Sequence, residues 1–470
     1  MKVAKFGGTS LANAEQIKKV CSIVLADRDR RLVVVSAPGK RHKEDTKVTD
    51  LLIGYANRFL QEQQAEEEKQ AVFARYEEII AELGLGEAVA EQIKSELDDA
   101  LSNRQGLSAE RFMDVAKAAG EDTCAKIVAH YLRSLGEEAS YVNPQDAGML
   151  VSDEAGNAHV LPEAYEKLAS LRERSGITVF PGFFGYAKSG ELVTFSRGGS
   201  DITGSILAAA VTAEVYENFT DVDSVYVVNP NLIANPKEVK EITYREMREL
   251  SYSGFSVFHE EALIPAYEAD IPVCIKNTNN PSAPGTMIVA ERPFATNRVS
   301  GIASDSGFCS IYVSKYLMNK EIGFGRKLLQ IFEEEGISYE HTPSGIDNIS
   351  VILREKDLTE EKEKRIIERM FRELGADDVA VQHSLALVMI VGEGMRQSVG
   401  TTARATTALA AAKVNLEMIN QGSSEVSMMF GVKAAEADRA VIALYQEFFG
   451  DEGETAAELL AASSAASVTV

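Results

Sequence analysis

Through the first part of the chain, short β-rich runs alternate with stretches in which apolar residues return every three or four positions. That alternation predicts an α/β sheet covered by helices on both faces. Strands are expected at Lys2 to Phe6, Leu32 to Ser36, Ile177 to Phe180, Val215 to Phe219 and Val273 to Ile275. Between the second and third of these, Cys124, Ile127, Val128, Tyr131, Leu132 and Leu135 form one apolar stripe at helical spacing, so this helix buries one face. From Gln61 to Ala100 the chain is rich in Glu, Gln, Lys and Ala, which predicts one or two amphipathic helices. Their acidic run Glu66-Glu67-Glu68 reads as a solvated face and not a metal site.

The pattern changes after NTNNPSAPGT, residues 277–286, a stretch of turn formers, and the main domain boundary is expected near residue 300. Beyond it lies an internal repeat. Ile311-Tyr312-Val313 matches Val388-Met389-Ile390, Gly323 matches Gly400, Ile337-Ser338 matches Val414-Asn415 and Ile349-Ser350 matches Val426-Ser427, each partner 77 positions on (388 against 311). A constant offset at four places indicates two copies of one unit. Each copy reads strand, Gly-containing loop, helix, strand, strand, helix, an α+β module whose open sheet face needs cover, so the two copies are expected to pack together. Gly392-Glu393-Gly394 lacks the third glycine of a dinucleotide fingerprint and sits inside the repeat, which leaves it a structural turn. The small-residue-rich end from Thr455 is expected to fray.

Composition narrows the function classes. Apolar residues make up 45% and charged residues 25% of 470 positions, ordinary for a folded globular protein of two or three domains. A net charge of −23 argues against a phosphate-backbone partner, so no nucleic acid is expected. No apolar run approaches the roughly 20 residues that span a bilayer. The start MKVAKFGGTS lacks the apolar region of a signal peptide, and a cytoplasmic location with no membrane partner is expected. Cys21, Cys124, Cys274 and Cys309 form no CxxC pair and read as reduced core thiols. His259-Glu260-Glu261 lacks the second histidine of a metal helix.

Two motifs carry chemistry. Lys5-Phe6-Gly7-Gly8-Thr9-Ser10 follows an apolar start and precedes the helical stripe Ile17, Val20, Cys21 and Val24, giving strand, glycine turn and helix N-terminus in succession. Glycines let the backbone approach an anion, Ser10 can cap the helix, and Lys5 would set a fixed positive charge on a transferring phosphoryl. Ser196-Arg197-Gly198-Gly199-Ser200-Asp201 repeats the arrangement after a β-like run and before an Ala-rich helix. Arg197 suits a bidentate grip on a carboxylate, and Asp201, which cannot bind an anion, suits orientation of Lys5.

KFGGTS, SRGGSD and TDVDSVY together resemble the aspartate kinases of the amino-acid kinase superfamily, over nearly the whole chain, and the paired C-terminal modules resemble ACT domains. The resemblance implies a three-layer α/β/α kinase domain at 1–298, two α+β ferredoxin-like ACT modules at 299–378 and 379–455, and a tail at 456–470. It implies transfer of the γ-phosphoryl of ATP, with Mg²⁺ carried by the nucleotide, to the side-chain carboxylate of L-aspartate. Carried over by position, Lys5 stabilises the phosphoryl, Asp201 organises the site, and Gly7, Gly8 and Ser10 form the phosphate loop. Glu121 meets the substrate ammonium and Arg197 its α-carboxylate, with Thr49, Gly199 and Ser200 as further aspartate contacts. A Glu in the first turn of a helix is the plain alternative for Glu121. Thr220, Asp221 and Tyr226 resemble the nucleotide segment, while Asn229-Pro230-Asn231 and Ser256 stand where many members carry Asp-Pro-Arg and Lys; Lys276 is a candidate to compensate.

Regulation is expected in the repeat. Gly323, Phe324 and Gly325 precede a helix and offer free N–H groups to a ligand carboxylate, and Ser344, Gly345, Asp347 and Asn348 offer acceptors to an ammonium. The effector expected is lysine first and threonine second, with a homodimer or homotetramer formed through the ACT modules. The rivals are another amino-acid or small-acid kinase of the same fold, against which Arg197, Glu121 and the paired modules stand, and a non-catalytic amino-acid sensor, against which Lys5 and Asp201 stand.

Overall fold

Val3, Ala4 and Phe6 in the first strand and Leu32 to Val35 in the second are fully buried, the continuous apolar runs that a parallel sheet covered on both faces requires. In the computed structural model these runs lie at the centre of an eight-stranded sheet. The structure describes residues 1–62, 64–102, 106–196, 198–255, 260–293, 298–422 and 426–450. The sheet runs in the order Glu241–Thr243, Thr286–Val289, Val273–Asn277, Val215–Thr220, Lys2–Phe6, Arg30–Val35, Ile177–Pro181 and Ala139–Tyr141. All neighbours are parallel except Val273–Asn277 against Thr286–Val289. The five expected strands are all present, with ends differing by at most two residues.

The order reverses beside Lys2–Phe6, whose chain continues toward Arg30–Val35 on one side while Val215–Thr220 flanks it on the other. In open α/β sheets, ligands settle at the carboxyl ends of the strands at such a reversal. Helix Ala14–Leu25 buries Ile17, Val20, Cys21 and Val24, and the helix expected around Cys124 is the middle of Ala109–Ser134. Leu135, placed in its apolar stripe, is 48% exposed just past the helix end. The stretch from Gln61 holds two helices, Glu66–Glu82 and Glu87–Ser102. All four cysteines are free and buried.

The chain divides into two compact units: Met1–Val225 with Glu238–Met247 and Ser256–Arg292, and Tyr226–Lys237 with Arg248–Phe255 and Pro293–Val470. The second unit contains one five-stranded sheet, in the order Asn348–Arg354, Gly301–Ser314, Asp378–Val391, Ser427–Lys433, Met418–Asn420. The repeat is written into its backbone. Left-handed residues recur in pairs 77 apart, Gly307 with Ser384, Gly323 with Gly400 and Gly336 with Lys413. Helices Phe324–Glu334 and Thr401–Ala411 keep the same offset.

The copies are interlocked instead of consecutive. The two long strands pair along their length, and each is broken at its left-handed residue, so each serves both copies. Phe308 to Ser314 pairs with Asn348–Arg354, and Ser310 to Ser314 with Asp378 to Gln382, whereas Leu385 to Val391 pairs with Ser427–Lys433, and Ala386 to Val391 with Gly301 to Ser306; Phe308 pairs with Leu385 between the two halves. A boundary at 378/379 thus meets the start of a shared strand. The second strand expected in the first copy is reduced to isolated bridges, His341 with Ile352 and Ser344 with Ile349. Gly392 is held tight, since a Cβ there would lie 2.1 Å from the Arg298 carbonyl, which agrees with a structural turn.

Candidate functional site

Lys5, near the carboxyl end of the central strand, is 7% exposed, and its ammonium forms an ion pair with Asp201. A buried ammonium needs such a partner. Asp201 lies in the first turn of helix Gly199–Ala210, where the helix dipole favours a carboxylate. Asn218 donates to its Oδ1 at 2.7 Å, and the Tyr216 hydroxyl donates to its backbone carbonyl at 3.1 Å. Tyr216 and Asn218 are two apart on one strand and so face the same way. Gly198, the residue before this helix, has φ 75°, a left-handed turn that glycine makes without strain.

Gly7 and Gly8 form the expected glycine turn. The Gly7 N–H donates to the Phe219 carbonyl at 3.2 Å, and the Gly39 N–H donates to the Gly8 carbonyl at 2.8 Å. A Cβ on Gly39 would sit 2.6 Å from the Gly8 carbonyl carbon, so the two loops touch backbone to backbone and only glycine fits. A Cβ on Gly7 would lie 3.7 Å from Lys5 Nζ and 3.7 Å from the Phe219 carbonyl oxygen, so the ammonium stands beside the glycine turn. The structure corrects one expectation here. Ser10 does not cap the helix: a short 3-10 turn, Gly8–Leu11, intervenes, Asn13 caps Ala14–Leu25, and the buried Ser10 hydroxyl meets that of Thr278 at 2.7 Å.

Glu121 lies midway along Ala109–Ser134 and not in a first turn, which removes the dipole as its explanation. It is 5% exposed, and among the described residues its Oε2 has no hydrogen-bond partner. Burial pushes its carboxyl up to about 8, against the opposing pull of the Ala37 N–H and the Lys5 charge. Gly120 beside it packs on Ala37, Leu52 and Val48, which brings the start of helix Val48–Glu62, and with it the half-buried Thr49, toward the same corner.

Ser200 is buried, and Gly182 at the end of Ile177–Pro181 leaves room for its side chain. Thr220 closes strand Val215–Thr220 next to Gly7, and its hydroxyl donates to Asp221 at 3.2 Å. Tyr226 falls in the second unit and is not brought to Lys5 by the fold of the first. Asn229 accepts from the Asn231 N–H at 2.9 Å, and Lys276 donates to the Ala283 carbonyl at 3.1 Å. Arg197, Ser256 and the tail lie outside the described residues. Sequence reasoning missed Tyr216, Asn218 and Gly39; the alternation of Tyr216 and Asn218 just before TDVDSVY was the signal for the first two. Among the described residues no three His, Cys, Asp or Glu side chains cluster as a metal site, and no helix is long and apolar enough to cross a membrane.

The effector residues divide. Ser344, Gly345 and Asn348 line a cavity of about 270 Å³ with Gln382, Glu417 and Met418. The structure does not bring Gly323, Phe324, Gly325 or Asp347 to its wall. Phe324 is buried in the core of the first copy, which leaves only its backbone available, and Asp347 accepts the Leu317 N–H at 2.9 Å.

Comparison with known proteins follows the same division. Residues 1–277 match the amino acid kinase family and residues 388–448 match the ACT domain. Over 449 residues the chain is 60% identical to aspartokinase 3 of Bacillus subtilis, covering 96% of this chain and 99% of that protein. The aspartate kinase of Clostridium acetobutylicum superposes with a TM-score of 0.84 at 37% identity, covering 95% and 100% of the two chains. Escherichia coli aspartokinase III matches with aspartate and ADP bound (TM-score 0.74, 25% identity, 96% and 100% covered) and with lysine and aspartate bound (0.72, 26%, 96% and 99%).

Proposed function

The chain belongs to the amino-acid kinase family and, within it, to the aspartate kinases that carry ACT regulatory domains, and on that premise we propose how its residues perform the transfer. The observation that carries the proposal is the pairing of Lys5 with Asp201 beside a buried, half-paired Glu121 at the carboxyl ends of the parallel strands. Asp201, itself steadied by Asn218 and Tyr216, holds the Lys5 ammonium beside Gly7, where it neutralises charge on the transferring phosphoryl. Gly8 and Ser10 shape that loop. When bound, MgATP supplies the phosphoryl group, with the metal carried by nucleotide oxygens and water.

Glu121 takes the aspartate ammonium and Arg197 its α-carboxylate, with Thr49, Gly199 and Ser200 completing the pocket. The side-chain carboxylate of aspartate is then the nucleophile, and no protein nucleophile is required. Thr220 and Asp221 serve the nucleotide. The kinase domain is assigned to 1–298 and the two ACT modules to 299–378 and 379–455, joining copies of the chain into a homodimer or homotetramer in the cytoplasm. Lysine, or failing that threonine, binds in the repeat. Support for this placement is the cavity beside Ser344, Gly345 and Asn348, where the Gln382 and Asn415 amides hold the Glu417 carboxyl below its usual range as a ready acceptor for an ammonium.

ATP-dependent formation of aspartyl hydroxamate, with and without lysine, threonine and methionine, tests substrate and effector together. Product with aspartate, and none with glutamate or N-acetylglutamate, is expected; absence of turnover on aspartate would return the chain to a sensor role.

A further inference from the structure

Helix Glu66–Glu82 has a solvated acidic face, yet its opposite face carries two buried polar residues side by side, Arg75 at 4% and Tyr76 at 2% exposure. Arg75 donates to the Gly39 carbonyl at 2.8 Å, to the Ala12 carbonyl at 3.3 Å and to Asp45 at 2.8 Å. Gly39 in turn donates its own N–H to Gly8, so one residue links the guanidinium to the glycine turn that follows Lys5. The Ala12 bond holds the far end of the same loop. Tyr76 donates its hydroxyl to the Gly120 carbonyl at 2.7 Å, directly before Glu121. Consecutive helical residues point about 100° apart, which lets one helix reach both places.

We propose that Arg75 and Tyr76 are positioning residues for the transfer: Arg75 holds the glycine loop that faces the phosphoryl group, and Tyr76 holds the turn that presents Glu121 to the aspartate ammonium. This rests on the roles given above to Lys5, the glycine loop and Glu121. A planar fork is needed on the Arg75 side, because its three acceptors lie on separate segments and an ammonium cannot span them in one geometry. On the Tyr76 side the hydroxyl fixes a carbonyl on the helix that carries Glu121, one of whose oxygens has no partner among the described residues. Displacement of either by about 1 Å is felt in the chemistry, where such shifts cost up to about 100-fold.

The test uses the full chain with Arg75→Lys, Tyr76→Phe and the control Tyr55→Phe, whose buried hydroxyl donates to the Leu101 carbonyl at 2.9 Å on the same helical layer. Hydroxamate kinetics are measured against both substrates, with rates expressed per folded enzyme. Arg75→Lys is expected to lower kcat about tenfold or more and leave the aspartate KM within about twofold. Tyr76→Phe is expected to raise the aspartate KM about fivefold or more with kcat little changed, and Tyr55→Phe to change neither. If Arg75→Lys does not fold, Tyr76→Phe, which removes a single oxygen, decides. Should Tyr76→Phe behave as Tyr55→Phe while Glu121→Gln raises the aspartate KM, the brace is overturned and the Glu121 role stands. Should Glu121→Gln itself leave the aspartate KM unchanged, the substrate assignment fails first and the brace with it.

Discussion

Three buried glutamates of the first unit show what separates support from chemistry. Glu217, 5% exposed, is gripped by both arms of Arg30 at 2.6 and 3.0 Å. Glu246, fully buried, is gripped by Arg292 at 3.0 and 2.8 Å and accepts the Thr243 N–H at 3.0 Å. Glu121 is buried just as deeply, and among the described residues no guanidinium grips it and one of its oxygens has no partner. A charge is normally buried with a partner, because an isolated one costs far more than the fold gains elsewhere. Among the described residues Glu121 is left half-paired, and the role proposed for it, accepting a substrate ammonium, would complete it.

The comparison breaks most visibly at its charged neighbour. Lys5→Ala is expected to reduce turnover about 10²–10³-fold with aspartate affinity nearly unchanged, the usual loss for one electrostatic donor to the reacting group. Single-turnover kinetics with aspartate titration would check this, and a variant keeping more than about a tenth of wild-type turnover would show that Lys5 is not the main phosphoryl stabiliser.

Substituting the two kinds of glutamate should give opposite signatures. Glu121→Gln loses a charged contact of about 1.5–3 kcal/mol and so raises the aspartate KM roughly 10- to 150-fold. Glu246→Gln leaves that KM alone and instead lowers thermal stability, by about 3–5 kcal/mol for a broken buried pair. Calorimetric melting and substrate titration of both variants separate the two outcomes.

A pH series sharpens the same contrast. With its folded value at about 8 against an ordinary 4.5, Glu121 is protonated in the ligand-free site at neutral pH. Its neutral burial contributes stability that is fully present below 4.5 and is lost as pH rises through about 8. Aspartate binding needs the ionised form, so its KM should fall about tenfold between pH 7 and pH 9, and Glu121→Gln should flatten that slope. The smallest effect belongs to the second unit. Asn348→Ala, at the wall of the cavity proposed for the effector, should relieve effector inhibition in the hydroxamate assay while leaving uninhibited turnover unchanged.

The central strands, the amphipathic helices and the 77-residue repeat could be read from the chain because periodicity is local. Ala139–Tyr141, Glu241–Thr243 and Thr286–Val289 could not: each is three or four residues long and draws its identity from a neighbour distant in sequence. The interlocking of the two copies was hidden for the same reason, since the exchange at Gly307 and Ser384 exists only once the long strands have paired. In the site, Lys5 and Asp201 stood in glycine motifs and were legible. Arg75, Tyr76 and Asn218 stand in ordinary helix and strand sequence, and the expectation that Ser10 caps the helix failed because a 3-10 turn separates the two.

Calorimetry of aspartate binding at pH 7, in two buffers of different ionisation enthalpy, tests the half-paired Glu121 most directly. The carboxyl must give up its proton to meet the ammonium, so about 0.9 proton should be released per aspartate bound, and none in Glu121→Gln. Equal proton counts in wild type and variant, or none in either, would contradict it.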